Sequence, residues 1–161
     1  MGNLAYLSLG SNVGDSIENL RKAISRLGSL GRVAAVSSFY ETEPVEVTDQ
    51  AWFVNCAVAL ETGLDSAELM SEILRIEREM GRRRMVKKGP RTIDIDILLF
   101  GDEVRSGPEL IIPHPAMAQR RFVLAPVAEI APEVRHPVLK KSIGELLADF
   151  PTGQIVRKIS G

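Results

Sequence analysis

Polar and apolar residues alternate strictly from Thr92 to Ile97, with Ile93, Ile95 and Ile97 set against Asp94 and Asp96, before the pattern runs into the continuous Leu98-Leu99-Phe100. A period of two belongs to a strand with one buried face. Residues two apart share a face and lie roughly 6.5 Å apart, so the isoleucines point into a core and both carboxylates point the other way. Asn3 to Leu9 and Phe53 to Leu60 read as further strands, and Val33 to Tyr40 as a β-type segment. Helical spacing takes over between them. Ile17, Leu20, Ile24 and Leu27 form one stripe up to Gly28, opened by Asp15 and Glu18 at capping-box spacing. Leu69, Ile73, Ile76 and Met80 form a second, from about Ser66 to Met80, opened by Asp65 and Glu68 and stopped by Gly81.

The resulting order, β-α-β-β-α-β, predicts an α+β fold: a ferredoxin-like split sheet covered by helices on one face. Past Gly101, additional C-terminal helices are expected near Met117 to Arg121, Phe122 to Ile130 and Ser142 to Phe150, limited by Pro113, Pro115, Pro126, Pro132 and Pro137. Gly10 to Asp15 reads as a tight turn after the first strand. Glu41 to Ala51 is a long polar loop, and loops of that length in compact domains tend to be functional.

Composition narrows the class. A chain of 161 residues fits one domain, 1–161, large enough to need no staple. An apolar content of 45%, a charged content of 25% and a net charge of -1 fit a globular protein and argue against a general nucleic-acid binder. Cys56 is the single cysteine, so no intrachain disulfide forms and a reducing, cytoplasmic setting is expected. No stretch approaches a membrane span, the N-terminus lacks the regions of a signal peptide, and the mature chain is expected to start at Met1. Tyr6 stands where a myristoylation motif wants Ser or Thr, so lipidation is set aside.

Basic charge is concentrated instead of spread. Residues Arg82 to Arg91 carry six basic side chains and no acidic one, immediately before the aspartate strand. Two ionised carboxylates as close as Asp94 and Asp96 repel, and a hard divalent cation such as Mg²⁺ relieves this while keeping sites for water and phosphate oxygens. Cations followed by a metal-binding strand suggest a polyphosphate site. The plainer reading is an amphipathic edge strand whose aspartates pair with those arginines. Neither G-x-x-x-x-G-K-[ST] nor a strand-borne G-x-G-x-x-G occurs, and the only histidines, His114 and His136, make no zinc cluster. Gly10 to Asp15 could offer amides to a phosphate, although a strand-to-helix turn explains it as well. No nucleophile-elbow pattern is present, so electrostatic phosphoryl-type transfer suits these residues better than covalent catalysis. His114, between Pro113 and Pro115, could donate to a phosphate or serve as a cap. Phe53 and Asn55 share a strand face, offering a flat ring and an amide able to read a donor/acceptor edge. For Phe53 alone, core packing is the ordinary reading.

The run Lys87-Lys88-Gly89-Pro90-Arg91-Thr92-Ile93-Asp94-Ile95-Asp96-Ile97-Leu98 resembles the signature of the 6-hydroxymethyl-7,8-dihydropterin pyrophosphokinases, which move pyrophosphate from ATP onto a pterin alcohol in the folate pathway. Leu9 to Asp15 is similar to that family's opening, Ser37 to Thr42 to its second strand, Phe53 to Ala57 to its third, and Pro113-His114-Pro115 with Arg120 and Phe122 to its closing block. The resemblance runs in order along nearly the whole chain. It implies that Asp94 and Asp96 ligate two Mg²⁺ ions that also bind ATP phosphates. Arg82, Arg84 and Arg91 become phosphate contacts, Arg82 and Arg91 among the catalytic groups, with Ile97, His114 and Arg120 further contacts to the nucleotide. Phe53 and Phe122 would sandwich the pterin while Asn55 and the backbone from Thr42 to Val45 read its polar edge. The hydroxymethyl oxygen would attack the β-phosphorus of ATP, with AMP leaving. ATP and the pterin are then the partners of a chain expected to work as a monomer, with neither nucleic acid nor membrane.

Lys88, Glu109 and Ile111 depart from the family's pattern, at positions where other members carry an aromatic residue, Arg and Thr; lid closure and ATP affinity are the properties this touches. A metal-dependent nucleotidyltransferase would also use an Asp-x-Asp strand and arginines, and its inorganic pyrophosphate product would separate it from an AMP-releasing enzyme. A non-catalytic ferredoxin-like module that binds RNA is the other rival, and the paired aromatic motif of such sheets is missing.

Overall fold

The computed structural model describes residues 2–43, 51–81, 92–150 and 156–159. In chain order these give β1 (Asn3–Ser11), α1 (Ser16–Leu27), β2 (Gly31–Val36), β3 (Phe39–Thr42), β4 (Phe53–Thr62), α2 (Ser66–Glu79), β5 (Asp94–Phe100), β6 (Arg105–Ser106), β7 (Ile111–Ile112), α3 (Arg121–Ile130), α4 (Ile143–Ala148) and β8 (Val156–Ile159). The expected helix from Met117 to Arg121 is a single 3-10 turn, Met117–Gln119, and the last helix is shorter than the span Ser142 to Phe150.

The main sheet is antiparallel in the order β5-β1-β4-β3-β8, with β2 also paired to β4. Taking β2 and β3 as one broken strand, this is the ferredoxin-like order with β8 added at an edge. The expected single β segment from Val33 to Tyr40 breaks because Val36 opposes Val58 while Tyr40 opposes Asn55, so three residues face two. Ser37 bridges the break: its N–H donates to the Ala57 carbonyl at 2.9 Å, and its hydroxyl accepts the Ala57 N–H at 2.8 Å. A side-chain oxygen thus replaces a ladder carbonyl.

Caps follow the sequence signals. Asp15 accepts the Glu18 N–H at 3.1 Å to open α1. Asp65 with Glu68, and Ser142 with Glu145, form complete capping boxes. Both faces of the sheet are covered, where helices on one face were expected. Against α1 and α2 the strands bury Leu7, Leu9, Cys56, Val58, Leu60, Ile93, Ile95 and Ile97 with Leu20, Leu27, Leu69 and Ile73. Burial pushes the Cys56 thiol up to about 12. On the other face α3 and α4 enclose Ala57, Leu98, Leu99, Met117, Val123, Leu124, Val127 and Ile143. Leu98 and Leu99 both reach this second core because a bulge interrupts the ladder, Tyr6 pairing with Leu99 and Leu7 with Ile97. The bulge is why alternation in β5 ends at Leu98.

Candidate active site

Paired residues on neighbouring antiparallel strands face the same way, and the register sets one row across the second face of the sheet. Asp94 on β5 opposes Gly10 on β1, Gly10 opposes Asn55 on β4, and Asn55 opposes Tyr40 on β3. On one side of that row lies Asp96–Ser8–Ala57, and on the other Phe53–Thr42. Asp94 and Asp96 are half-buried on this face, while Ile95 and Ile97 are 2% and 3% exposed on the opposite one. With strands 4.7–4.9 Å apart, the Asp94 and Asn55 backbones stand about 10 Å from each other.

The centre of the row is bare backbone. A Cβ on Gly10 would lie 2.6 Å from Asn55 Nδ2 and 3.7 Å from Phe53 Cδ1. Gly10 is therefore a ladder residue whose missing side chain makes room for Asn55, and not part of a phosphate-cradling turn. The turn itself is tied down from α1, where Asn19 Nδ2 donates to Ser11 Oγ at 3.2 Å and to the Val13 carbonyl at 2.8 Å. The positive end of that helix already faces the Asp15 carboxylate.

Asn55 is 4% exposed and its amide is oriented by two neighbours. The Thr42 hydroxyl donates to Oδ1 at 2.5 Å, and Nδ2 donates to the Leu9 carbonyl at 3.4 Å. The second bond is long enough to be weak, so the amide N–H groups are the more readily redirected end. Phe53, half-buried, sits beside it on β4.

His114 hangs from the aspartate strand by its N–H, which donates to the Leu98 carbonyl at 2.9 Å. Its ring Nδ1 accepts the Ala116 N–H at 3.1 Å, so in the neutral imidazole the proton sits on Nε2. That nitrogen is a donor. Arg120 precedes α3 and holds its guanidinium carbon 5.6 Å from the centroid of the Phe122 ring. α3 packs over β4, β3 and β1 on the face that carries the row.

The structure thus brings Asp94, Asp96, Asn55, Phe53 and Thr42 onto one face, puts α3 with Phe122 and Arg120 over that face, and tethers His114 to β5. Ile97 differs: its side chain lies in the first core and brings no group to this face. Arg82, Arg84, Arg91, Val45 and Lys88 lie outside the described residues. Glu109 and Ile111 are exposed, Ile111 on the small β6–β7 hairpin.

Sequence reasoning overlooked Glu77. It is 3% exposed on α2, and its Oε2 accepts the N–H of Ile95, the residue between the two aspartates, at 2.8 Å. The available signal was its place four residues after Ile73, on the apolar stripe, where a carboxylate needs a partner.

Three comparisons bear on this site. The family described as 7,8-dihydro-6-hydroxymethylpterin-pyrophosphokinase (HPPK) matches residues 6–132. A 2-amino-4-hydroxy-6-hydroxymethyldihydropteridine pyrophosphokinase of Bacillus subtilis is 50% identical over 136 residues, covering 83% of this chain and 81% of that protein. One of the same description from Aquifex aeolicus is 41% identical over 140 residues, covering 87% and 88%. Among solved structures, wild-type Plasmodium falciparum HPPK-DHPS with pteroate superposes with a TM-score of 0.75 at 19% identity, over 92% of this chain and 42% of that one. At that identity the likeness is one of fold, and this chain spans less than half of the longer one.

Proposed function

Because the chain belongs to the 7,8-dihydro-6-hydroxymethylpterin-pyrophosphokinase family, we propose how its residues divide the work of that reaction. It transfers pyrophosphate from ATP to 6-hydroxymethyl-7,8-dihydropterin, giving the pterin diphosphate and AMP in folate biosynthesis. The hydroxymethyl oxygen bonds to the β-phosphorus, and the bond from that phosphorus to the oxygen retained by AMP breaks.

The row Asp94–Gly10–Asn55 supports the assignment of roles, because it sets a carboxylate pair and an edge-reading amide on one face about 10 Å apart, close to the span of a phosphate chain joined to a small ring. Asp94 and Asp96 fit two Mg²⁺ ions. They are oxygen-only donors, two apart on one strand face and half-buried, and such ions take their remaining ligands from water and phosphate. Held by these two carboxylates, such ions would neutralise phosphate charge and polarise the phosphorus under attack. Glu77 holds the Ile95 N–H and so fixes the strand between the two carboxylates.

Phe53 and Phe122 stack on the pterin, and Asn55, with Thr42 to Val45, reads its polar edge. His114 Nε2 and Arg120 donate to the nucleotide, while Arg82, Arg84 and Arg91 complete the phosphate contacts. Arg82 and Arg91 act on the charge that develops in the transition state. We read residues 1–161 as one pyrophosphokinase domain acting as a monomer in the cytoplasm without a nucleic-acid partner. No described helix is long and apolar enough to cross a membrane, and the single buried thiol fits a reducing compartment.

A product assay with ATP and saturating Mg²⁺, with and without hydroxymethyldihydropterin, tests the reading. AMP released only when the pterin is present supports it. Inorganic pyrophosphate as the product would assign nucleotidyl transfer and overturn it.

A further inference from the structure

The second face of the sheet carries a carboxylate that the reaction does not use. Glu129, on α3, receives three hydrogen bonds from β3 and the residue just before it: Tyr40 O–H to Oε1 at 2.5 Å, and Ser38 N–H and O–H to Oε2 at 2.8 and 3.0 Å. The Lys158 ammonium on β8 stands 3.8 Å from Oε1. Burial opposes its charge, and these donors outweigh burial and hold the carboxyl below the usual carboxylate range. Tyr40 itself is 8% exposed, with its phenol pushed up by burial and by Glu129.

So many ties on one surface-side acid matter because of the helix they hold. α3 has ten residues, too few for an isolated helix to persist in water. Its N-cap makes no side-chain bond, and Pro126 inside it lacks the N–H that would close a turn onto the Phe122 carbonyl. Val123, Leu124 and Val127 anchor it in the second core, but apolar packing is non-directional and fixes depth better than roll. Glu129 follows Phe122 by seven residues, which at 3.6 per turn places the two within about 20° of each other around the helix and about 10 Å apart along it. A change of roll that breaks the Glu129 bonds therefore swings the Phe122 ring as well. The strand at the other end of those bonds serves the same pocket: Tyr40 opposes Asn55, and Thr42 donates to the Asn55 amide.

We propose that Glu129 is a positioning residue for the pterin pocket, clasping β3 so that α3 presents Phe122 opposite Asn55. This rests on Phe122 and Asn55 being the pocket walls, and the experiment separates the two statements. Calorimetry with the pterin and, separately, with a non-hydrolysable ATP analogue plus Mg²⁺ is run on wild type, Glu129→Ala, Glu129→Gln, Phe122→Ala and the double variant Glu129→Ala/Phe122→Ala, with turnover at saturating pterin alongside. Glu129→Ala should weaken pterin binding about tenfold, leave the ATP analogue within twofold and lower kcat less than threefold, with Glu129→Gln recovering part of the loss. The double variant should bind pterin no worse than Phe122→Ala alone, since a mispositioned ring and a missing ring lose the same contact. Additive losses, or equal weakening of the ATP analogue, would make Glu129 a general stabiliser and overturn the proposal. Wild-type pterin affinity in Phe122→Ala would instead overturn the pocket assignment. Should Glu129→Ala fail to fold, Tyr40→Phe removes only the bond to Oε1, and it must show the same pterin-specific loss in smaller measure or the proposal falls.

Discussion

Gly10→Ala is the smallest change that tests the sheet row. The added methyl would sit 2.6 Å from Asn55 Nδ2, well inside contact distance, with Phe53 Cδ1 another 3.7 Å away. Backbone strain does not enter, because Gly10 lies within the regular ladder between Asn55 and Asp94. Something must yield, and Asn55 is the softer side: its bond to the Leu9 carbonyl is already 3.4 Å. Moving the amide away sacrifices that weak bond and strains the 2.5 Å bond from Thr42. One neutral hydrogen bond plus mild overpacking amounts to about 1–3 kcal/mol, equivalent to a fall in Tm of about 2–12 °C for a chain of this size. For the pterin, the displaced amide leaves a polar edge unmatched, again about 1–3 kcal/mol, or roughly 5- to 150-fold in affinity. Thermal unfolding and calorimetry on Gly10→Ala, Asn55→Ala and the double variant make a cycle. Once Asn55 is truncated the methyl has space, so in the double variant Gly10→Ala should cost almost nothing in either quantity. Wild-type pterin affinity in Gly10→Ala, or losses that simply add in the double variant, would refute the argument that the bare backbone at Gly10 exists to seat Asn55.

Asp96→Ala and Asp94→Ala should each remove nearly all turnover while leaving the fold intact; near-normal turnover of Asp96→Ala at saturating Mg²⁺ would contradict the metal assignment. Asn55→Ala should weaken the pterin more than an analogue lacking the lactam, whereas Phe122→Ala should weaken all flat ligands alike; equal losses for both ligands in Asn55→Ala, measured by calorimetry, would move recognition to the Thr42 to Val45 segment. His136 is buried, and its Nδ1 accepts the Val138 and Leu139 N–H groups at 3.2 and 3.0 Å, so burial lowers its pKa from the ordinary 6.5. The unfolded chain binds that proton at higher pH than the folded one, so this stability is complete above about 6.5 and declines as pH falls below it. Urea unfolding at pH 7.5, 6.5 and 5.5 should show that decline in wild type and a flatter profile in His136→Gln, and identical slopes would remove His136 as the cause.

Asp94 and Asp96 were legible in the sequence because strand alternation converts spacing directly into a shared face, and the same period placed Phe53 beside Asn55. Helix caps at Asp15 and Asp65 were equally legible, since each signal and its bond lie within three residues. Features that depend on partners far along the chain were not. β8 reads Val-Arg-Lys-Ile, too short and polar to announce an edge strand, and it exists through pairing with β3 more than a hundred residues earlier. The break at Ser37 needs the hydroxyl to meet Ala57, and the bulge at Leu98 needs the register of β1. Neither Glu77 nor Glu129 sits in a motif of its own; each becomes noticeable only through the backbone or side chains it meets across the fold.

The lone thiol in the first core offers a readout that needs no mutation. Alkylating reagents attack the thiolate, and Cys56 is both fully buried and held near pKa 12, so in the closed protein its labelling is suppressed by lack of access and lack of charge together. Cys56 lies on β4 with its side chain in the core between the sheet and α1 and α2, and exposing it means lifting that helix layer from the sheet. The rate of mass gain at this one atom therefore counts openings of the first core. A ligand that binds only the closed form slows those openings by the factor 1 + [L]/Kd, so the order in which nucleotide and pterin bind becomes measurable by alkylation of the unmodified wild-type chain.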